Sequence, residues 1–226
     1  STREAGDVSA GVFDTAGNML ANAVTGTPGH VNSMARAVKH FLDRFPAAEM
    51  QPGDVLLTND PWLGTGHLHD FTFVTPTFRK GRVVAFFAST SHVVDIGGRG
   101  LGAEGRQVYE EGLQVPIMHF ARAGEVDATL LALVRANVRE PVQVLGDLYS
   151  LAACNDTGCR RLQEIMDQTE IDDLDALSGH ILARSREAAL ARIREVPEGR
   201  FSNTMRIDGF ETPIDLSATL TVEGGR

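Results

Sequence analysis

Phe71-Thr72-Phe73-Val74-Thr75-Pro76-Thr77-Phe78-Arg79-Lys80-Gly81-Arg82-Val83-Val84-Ala85-Phe86-Phe87-Ala88-Ser89 is the stretch that decides the fold. Residues 71–78 and 82–89 are rich in aromatic and β-branched side chains, and Arg79-Lys80-Gly81 supplies a turn between them, so the stretch reads as two strands. Upstream, Pro52-Gly53 makes a turn into a strand at 54–58, and a polar segment from Asn59 to Asp70 lies between that strand and the next. Farther upstream, residues 8–13 and 19–24 flank Asp14-Thr15-Ala16-Gly17-Asn18 and predict a hairpin, because Gly and Asn supply the positive φ its turn needs. Between these sheets Val31, Met34, Ala35, Val38, Phe41, Leu42 and Phe45 recur at three- and four-residue spacing, predicting a helix over 31–45 that begins just after His30 and stops at Pro46.

Downstream, five glycines between Gly97 and Gly105 mark an extended loop, and the pattern turns helical over 127–136, 142–167 and 174–196. Pro197-Glu198-Gly199 ends that block, and 201–207 and 214–222 read as a terminal pair of strands around Asp208-Gly209. Strands first, helices in the middle and strands last predict an α+β fold, with mixed or antiparallel sheets at the two ends and a helical middle segment. Two regions are expected, 1–125 and 126–226, both parts of one subunit.

Composition narrows the function classes. At 226 residues, with 42% hydrophobic, 23% charged and 6% aromatic content, the chain is neither disordered nor fibrous and is large enough to bury a sizeable core unaided. Its 21 basic and 30 acidic residues give a net charge of −9, which argues against nucleic-acid and anionic-membrane partners. Cys154 and Cys159 form a single Cys-x4-Cys pair, neither a zinc ribbon nor a disulfide framework, and read as reduced thiols of a cytoplasmic protein. The apolar run at 83–88 is too short to span a bilayer, and no charged-then-apolar leader opens the chain. The start at Ser1 and the end in a strand-like run and Gly224-Gly225-Arg226 suggest a piece of a longer chain.

Chemistry concentrates in two segments, Asn59-Asp60-Pro61-Trp62-Leu63-Gly64-Thr65-Gly66-His67-Leu68-His69-Asp70 and Ser91-His92-Val93-Val94-Asp95-Ile96-Gly97-Gly98. Both lie where a strand meets a loop, and imidazole with carboxylate is the donor set for divalent zinc, manganese or iron. The plainer reading is that Asp and Asn close turns here and the histidines are solvated. In a regular strand His67 and His69 would share one face, whereas a turn at Gly64-Thr65-Gly66 would bring His67 to Asp70. Gly100-x-Gly102-x-x-Gly105 formally fits a dinucleotide fingerprint, but no βαβ unit or spaced acidic residue supports it, and no Walker-type phosphate loop occurs.

In order along the chain, Asn59-Asp60-Pro61, Gly66-His67-Leu68-His69-Asp70, Ser91-His92-Val93-Val94-Asp95-Ile96-Gly97-Gly98, Tyr109-Glu110-Glu111-Gly112, Asn137-Val138-Arg139-Glu140-Pro141 and Gly146-Asp147-Leu148 resemble the B subunit of the hydantoinase/oxoprolinase family, which includes acetone and acetophenone carboxylases. The resemblance runs over 7–199. It implies a divalent metal ion, Zn, Mn or Fe, held by His67, Asp70 and His92, with Asp7 of Asp7-Val8-Ser9 as a further ligand. It favours the turn geometry for His67 and Asp70. His69 stands where the family often has proline and is a candidate extra ligand, and the second of two adjacent histidines after Ser91 is missing. Two catalytic candidates remain: His30, matching a family histidine just before the first helix, either faces the substrate or is an ordinary helix-entry residue, and Asp95 either orients His92 or fixes the turn before Gly97.

The function it implies is the metal-binding subunit of an ATP-dependent cyclic amidase acting on hydantoins, oxoproline or lactams. ATP and Mg would be bound by an A-type partner subunit in a hetero-oligomer such as a heterotetramer. Two other readings stand beside it: a subunit of an ATP-dependent ketone carboxylase, and a metal-free scaffold for the ATP-binding subunit.

Overall fold

The computed structural model describes residues 6–24, 26–100, 102, 104–209 and 211–224. The chain divides into two units, 1–175 and 176–226. The first contains β1 (Val8–Phe13), β2 (Met19–Asn22), α1 (Pro28–Arg44), β3 (Val55–Thr58), β4 (Asp70–Arg79), β5 (Arg82–His92), the short helix α2 (Val108–Glu111), β6 (Met118–Arg122), β7 (Glu125–Val126), α3 (Ala128–Asn137) and α4 (Pro141–Gln168). Its seven strands form one antiparallel sheet in the order β2-β1-β5-β4-β3-β6-β7. Helix α4 packs on β4 and β5 and so belongs to the body of the sheet.

The β4–β5 hairpin is the spine. Lys80 (φ 49°) and Gly81 (φ 79°) both adopt the left-handed conformation whose twist matches the flanking strands, which is why Arg79-Lys80-Gly81 turns the chain there. Period-two alternation then splits the side chains. Val74, Phe86, Ala88 and Phe13 face Met34, Val38 and Phe41 of α1, while Phe71, Phe73 and Leu57 join Phe120, Leu130, Val134, Leu148 and Leu151 under α3 and α4. The sheet is thus covered on both faces by helices. Cys154 and Cys159, both on α4, are free thiols as expected.

Three departures from the sequence expectation matter for the site. Helix α1 begins at Pro28, three residues before the predicted 31, because proline's fixed φ suits the first helical position; His30 therefore sits in the first turn and not ahead of it. Strand β4 starts at Asp70 and β5 runs on to His92, beyond the predicted 71 and 89, because these two residues still pair across the ladder. The strands β6 and β7 and the short helix α2 were not expected; five- and two-residue strands are too brief to carry a readable alternation.

The second unit consists of α5 (Asp175–Arg194) and the hairpin of β8 (Gly199–Ile207) with β9 (Ile214–Val222). One hairpin face carries Phe201, Met205, Ile207, Ile214, Leu216 and Leu220, all exposed. The other carries the cross-strand pairs Ser202–Thr219, Thr204–Ser217 and Arg206–Asp215. Among the described residues, no helix is long and apolar enough to cross a membrane.

Candidate metal centre

The site is the continuation of one sheet face past its apolar part. Along that face β1, β5 and β4 present Phe13, Phe86, Ala88 and Val74 to α1; near the strand ends the same alternation brings hydroxyls instead. Ser9 pairs with Thr90, Thr90 with Thr72 and Thr72 with Thr58, a buried row across four strands in which Thr72 Oγ1 lies 2.9 Å from Thr90 Oγ1. One pair farther on, Asp70 faces His92 across the β4–β5 ladder, and the His92 amide donates to the Asp7 carbonyl (3.2 Å). Cross-strand partners project to the same side, so Asp7, His92 and Asp70 stand in a row beneath the first turn of α1, where His30 is.

The segment between β3 and β4 delivers the remaining histidine. Gly64 turns the chain by donating to the Asp60 carbonyl at 2.7 Å, and a Cβ on Gly64 would press on that same oxygen. Asp60 Oδ1 accepts from the Trp62 and Leu63 amides, and Oδ2 from Gln114. The Asp70 amide then donates to the His67 carbonyl (3.2 Å), closing a turn that puts His67 Nε2 3.0 Å from Asp70 Oδ1. Of the two geometries left open by the sequence, the turn is the one observed. Asn59, fully buried, clamps the segment: its amide group donates to the Leu68 and Leu113 carbonyls (2.7 and 2.9 Å) and its Oδ1 accepts from the Val115 amide (2.6 Å).

Asp70 is the hub, with a side chain only 1% exposed. Oδ1 meets His67 Nε2 at 3.0 Å and His92 Nδ1 at 3.2 Å; Oδ2 meets His30 Nε2 at 3.0 Å and accepts from Thr65 Oγ1 at 3.1 Å. Asp7 Oδ1 lies 3.7 Å from His30 Nε2 and accepts from Thr27 Oγ1 at 2.5 Å. Burial by itself would push the Asp70 carboxyl up, but hydrogen bonds from His30, His67 and His92 outweigh it and hold it well below the usual carboxylate range. The hydrogen bond to Asp70 raises His30 and His67 against the opposing effect of burial. His69 behaves oppositely: burial, then the neighbouring His92 and His67, bring it down to about 4.

Among the described residues, ligand atoms capable of holding an ion fall into two sets, His67–Asp70–His92 and Asp7–His30–Asp70, each within 4.8 Å. Two imidazoles and a carboxylate converging on a shielded point fit a divalent Zn, Mn or Fe ion. The structure thus brings together His67, Asp70 and His92, and places Asp7 with His30 across Asp70 from the other two histidines. His69 stands outside both sets; its ring stacks on His92 with centroids 5.0 Å apart and planes 9° apart.

Asp95 is the residue whose place differs most from a catalytic role. Its oxygens accept from the Gly97 amide (3.1 Å), the Arg139 amide and the Arg139 guanidinium (2.6 Å), so it fixes the turn before Gly97 and ties it to the start of α4; no contact with His92 occurs among the described residues. Sequence reading missed the supporting polar groups, Ser9, Thr27, Thr65 and Gln114. The only signal for Ser9 was its place in Asp7-Val8-Ser9, Thr65 stood out only as part of the Gly64-Thr65-Gly66 turn, and Thr27 and Gln114 depend on partners distant in sequence.

A family model described as hydantoinase B/oxoprolinase matches residues 1–226. The putative D-/L-hydantoinase B chain of Pseudomonas sp. (strain NS671) is 25% identical over 240 residues, covering 98% of this chain and 40% of that protein. The crystal structure of the ATP-dependent caprolactamase from Pseudomonas jessenii superposes with a TM-score of 0.87 at 26% identity, over 97% of this chain and 38% of that one. A nucleotide-free acetone carboxylase structure gives a TM-score of 0.84 over 99% of this chain and 32% of that one, and at 18% identity shows the shared fold alone. The chain spans less than half the length of the curated relatives it matches. It belongs to the hydantoinase B/oxoprolinase family.

Proposed function

We propose that this chain carries the metal centre of an ATP-dependent enzyme that opens cyclic amides, working with a partner subunit that binds ATP and Mg. The observation that carries the reading is Asp70, a buried carboxylate with His67 and His92 within 3.2 Å of one of its oxygens. A buried carboxylate needs positive charge or hydrogen-bond donors beside it, and imidazoles around it can give way to a divalent cation that supplies that charge. The family and the similarity to one component of a hydantoinase and to a caprolactamase point to the amide class and to a multi-subunit enzyme.

An amide carbonyl is a poor electrophile because of resonance, and phosphorylation of its oxygen at the partner's ATP site removes that resonance. His67, Asp70 and His92 would hold a divalent ion, which would supply Lewis acidity and make a water more acidic. The chain's own residues do the rest. Asp70 orients both histidines from one oxygen, the stacked His69 ring walls one side of His92, and Asn59 keeps the His67 segment in place. His30 borders the same space from α1 and faces the substrate.

The test is an assay of the complete complex with ATP plus hydantoin, oxoproline or caprolactam, against ATP plus bicarbonate and a ketone. Ring opening that requires ATP, is lost on chelation and returns with added metal is the expected result. ATP-dependent bicarbonate fixation without ring opening would replace the amidase reading with the carboxylase one, and full activity without metal would leave the chain a scaffold.

A further inference from the structure

We infer that His69 is a positioning residue, a fixed ring against which the imidazoles of His67 and His92 are held by stacking. The inference rests on the proposed metal centre and concerns what keeps its ligands aimed. A histidine that holds a metal is usually oriented through its second ring nitrogen, which donates to a carboxylate, a carbonyl or a water. Here His67 turns Nε2 and His92 turns Nδ1 to Asp70 Oδ1, and among the described residues neither His67 Nδ1 nor His92 Nε2 has a hydrogen-bond partner. What both rings share instead is contact with His69.

The three rings make a closed group. Centroids lie 5.0 Å apart for His69 and His92, 5.8 Å for His69 and His67 and 4.9 Å for His67 and His92, all within the range of packed aromatic pairs. The His69 plane is 9° from that of His92 and 29° from that of His67, so it stacks on both. His69 is the anchored member: it is buried, whereas the His67 side chain is 38% exposed and that of His92 22%. Its carbonyl accepts from the Val93 amide at 2.8 Å, one step past the Asp70–His92 pair, and the carbonyl of the preceding Leu68 is held by Asn59. Neither nitrogen of the His69 ring has a hydrogen-bond partner among the described residues, and His69 stands outside both ligand sets. The flat ring, rather than a donor atom, is therefore what it contributes. Swinging His67 or His92 away from Asp70 would forfeit ring contacts and open a void beside a buried side chain.

The test separates ring shape from ring nitrogen. The intact protein, stripped with chelator, is titrated with Mn²⁺, read by electron paramagnetic resonance of the free ion, and with Co²⁺, read by its visible absorption. His69→Phe keeps a flat ring without nitrogen, His69→Leu fills space without a plane, and His69→Ala does neither. His69→Phe should bind Mn²⁺ within about threefold of the unaltered protein and keep the Co²⁺ band, whereas His69→Leu and His69→Ala should weaken binding about 10–100-fold and shift the band, as when outer partners of metal ligands are removed. Urea denaturation of the metal-free variants establishes that each is folded, and His69→Leu decides the matter should His69→Ala fail to fold. Binding by His69→Leu equal to that of the unaltered protein overturns the positioning role. Binding by His69→Phe as weak as that of His69→Leu overturns it too, and makes a ring nitrogen the working atom. Either result leaves the proposed function standing, whereas an unaltered protein that binds neither ion overturns both.

Discussion

At the scale of single residues, Asn59 shows how much of the site rests on groups that touch no ligand. Replacing it with alanine strands two buried carbonyls and one amide, which costs about 2–4 kcal/mol in all. It also frees the segment carrying His67, so metal affinity should fall about 10–100-fold, as when outer partners of metal ligands are removed. Urea denaturation and Mn²⁺ titration of Asn59→Ala check both effects; an unchanged affinity would mean that the clamp does not hold the ligand. Sequence reading picked out Asn59 within a polar segment but not its task, because two of its three partners lie 54 and 56 positions away. Asp70, His67 and His92 were named together by the family resemblance; their spacing alone left open whether His67 works with Asp70 or with His69. Of the two tasks offered for Asp95, orienting His92 or fixing the turn before Gly97, its hydrogen bonds serve the turn, with Arg139 on a segment that only folding brings near. The thiols give a separate check. Burial pushes Cys159 up to about 11, so only about one molecule in a thousand carries its thiolate at pH 8, and iodoacetamide should label exposed Cys154 well before Cys159.

At the scale of elements, the loop after β5 is held by close backbone approach. Gly97 has φ 79°, and a Cβ there would run into the Asn137 carbonyl, so Gly97→Ala should destabilise by about 2 kcal/mol or more. A chemical-denaturation midpoint unchanged within error would contradict this packing. The central hairpin was readable because 19 consecutive residues state strand, turn and strand by composition. The start of α1 was misplaced because Pro28 and Gly29 look like a turn and act as a first helical turn, which is what carries His30 over the site. Strands β6 and β7 exist only because β3 offers a partner edge, information absent from their own few residues.

At the scale of the molecule, the α+β arrangement followed from the order of patterns, whereas the packing of α4 on β4 and β5 is a tertiary fact that no single segment states. The β8–β9 hairpin presents a contiguous apolar face, large enough to bind a hydrophobic dye. Leu216→Lys with Leu220→Lys should reduce dye binding severalfold while shifting the stability of the sheet-bearing unit by no more than about 0.5 kcal/mol, measured by fluorescence and denaturation. Equal dye binding before and after would place the apolar surface elsewhere.

The central claim is that a divalent ion sits among His67, Asp70 and His92. Anomalous diffraction from crystals grown with Mn²⁺ locates such an ion directly. The expected result is a peak about 2.0–2.2 Å from His67 Nε2, Asp70 Oδ1 and His92 Nδ1. A map with no peak there at saturating metal, or with ions only at sites remote from these three residues, would contradict it.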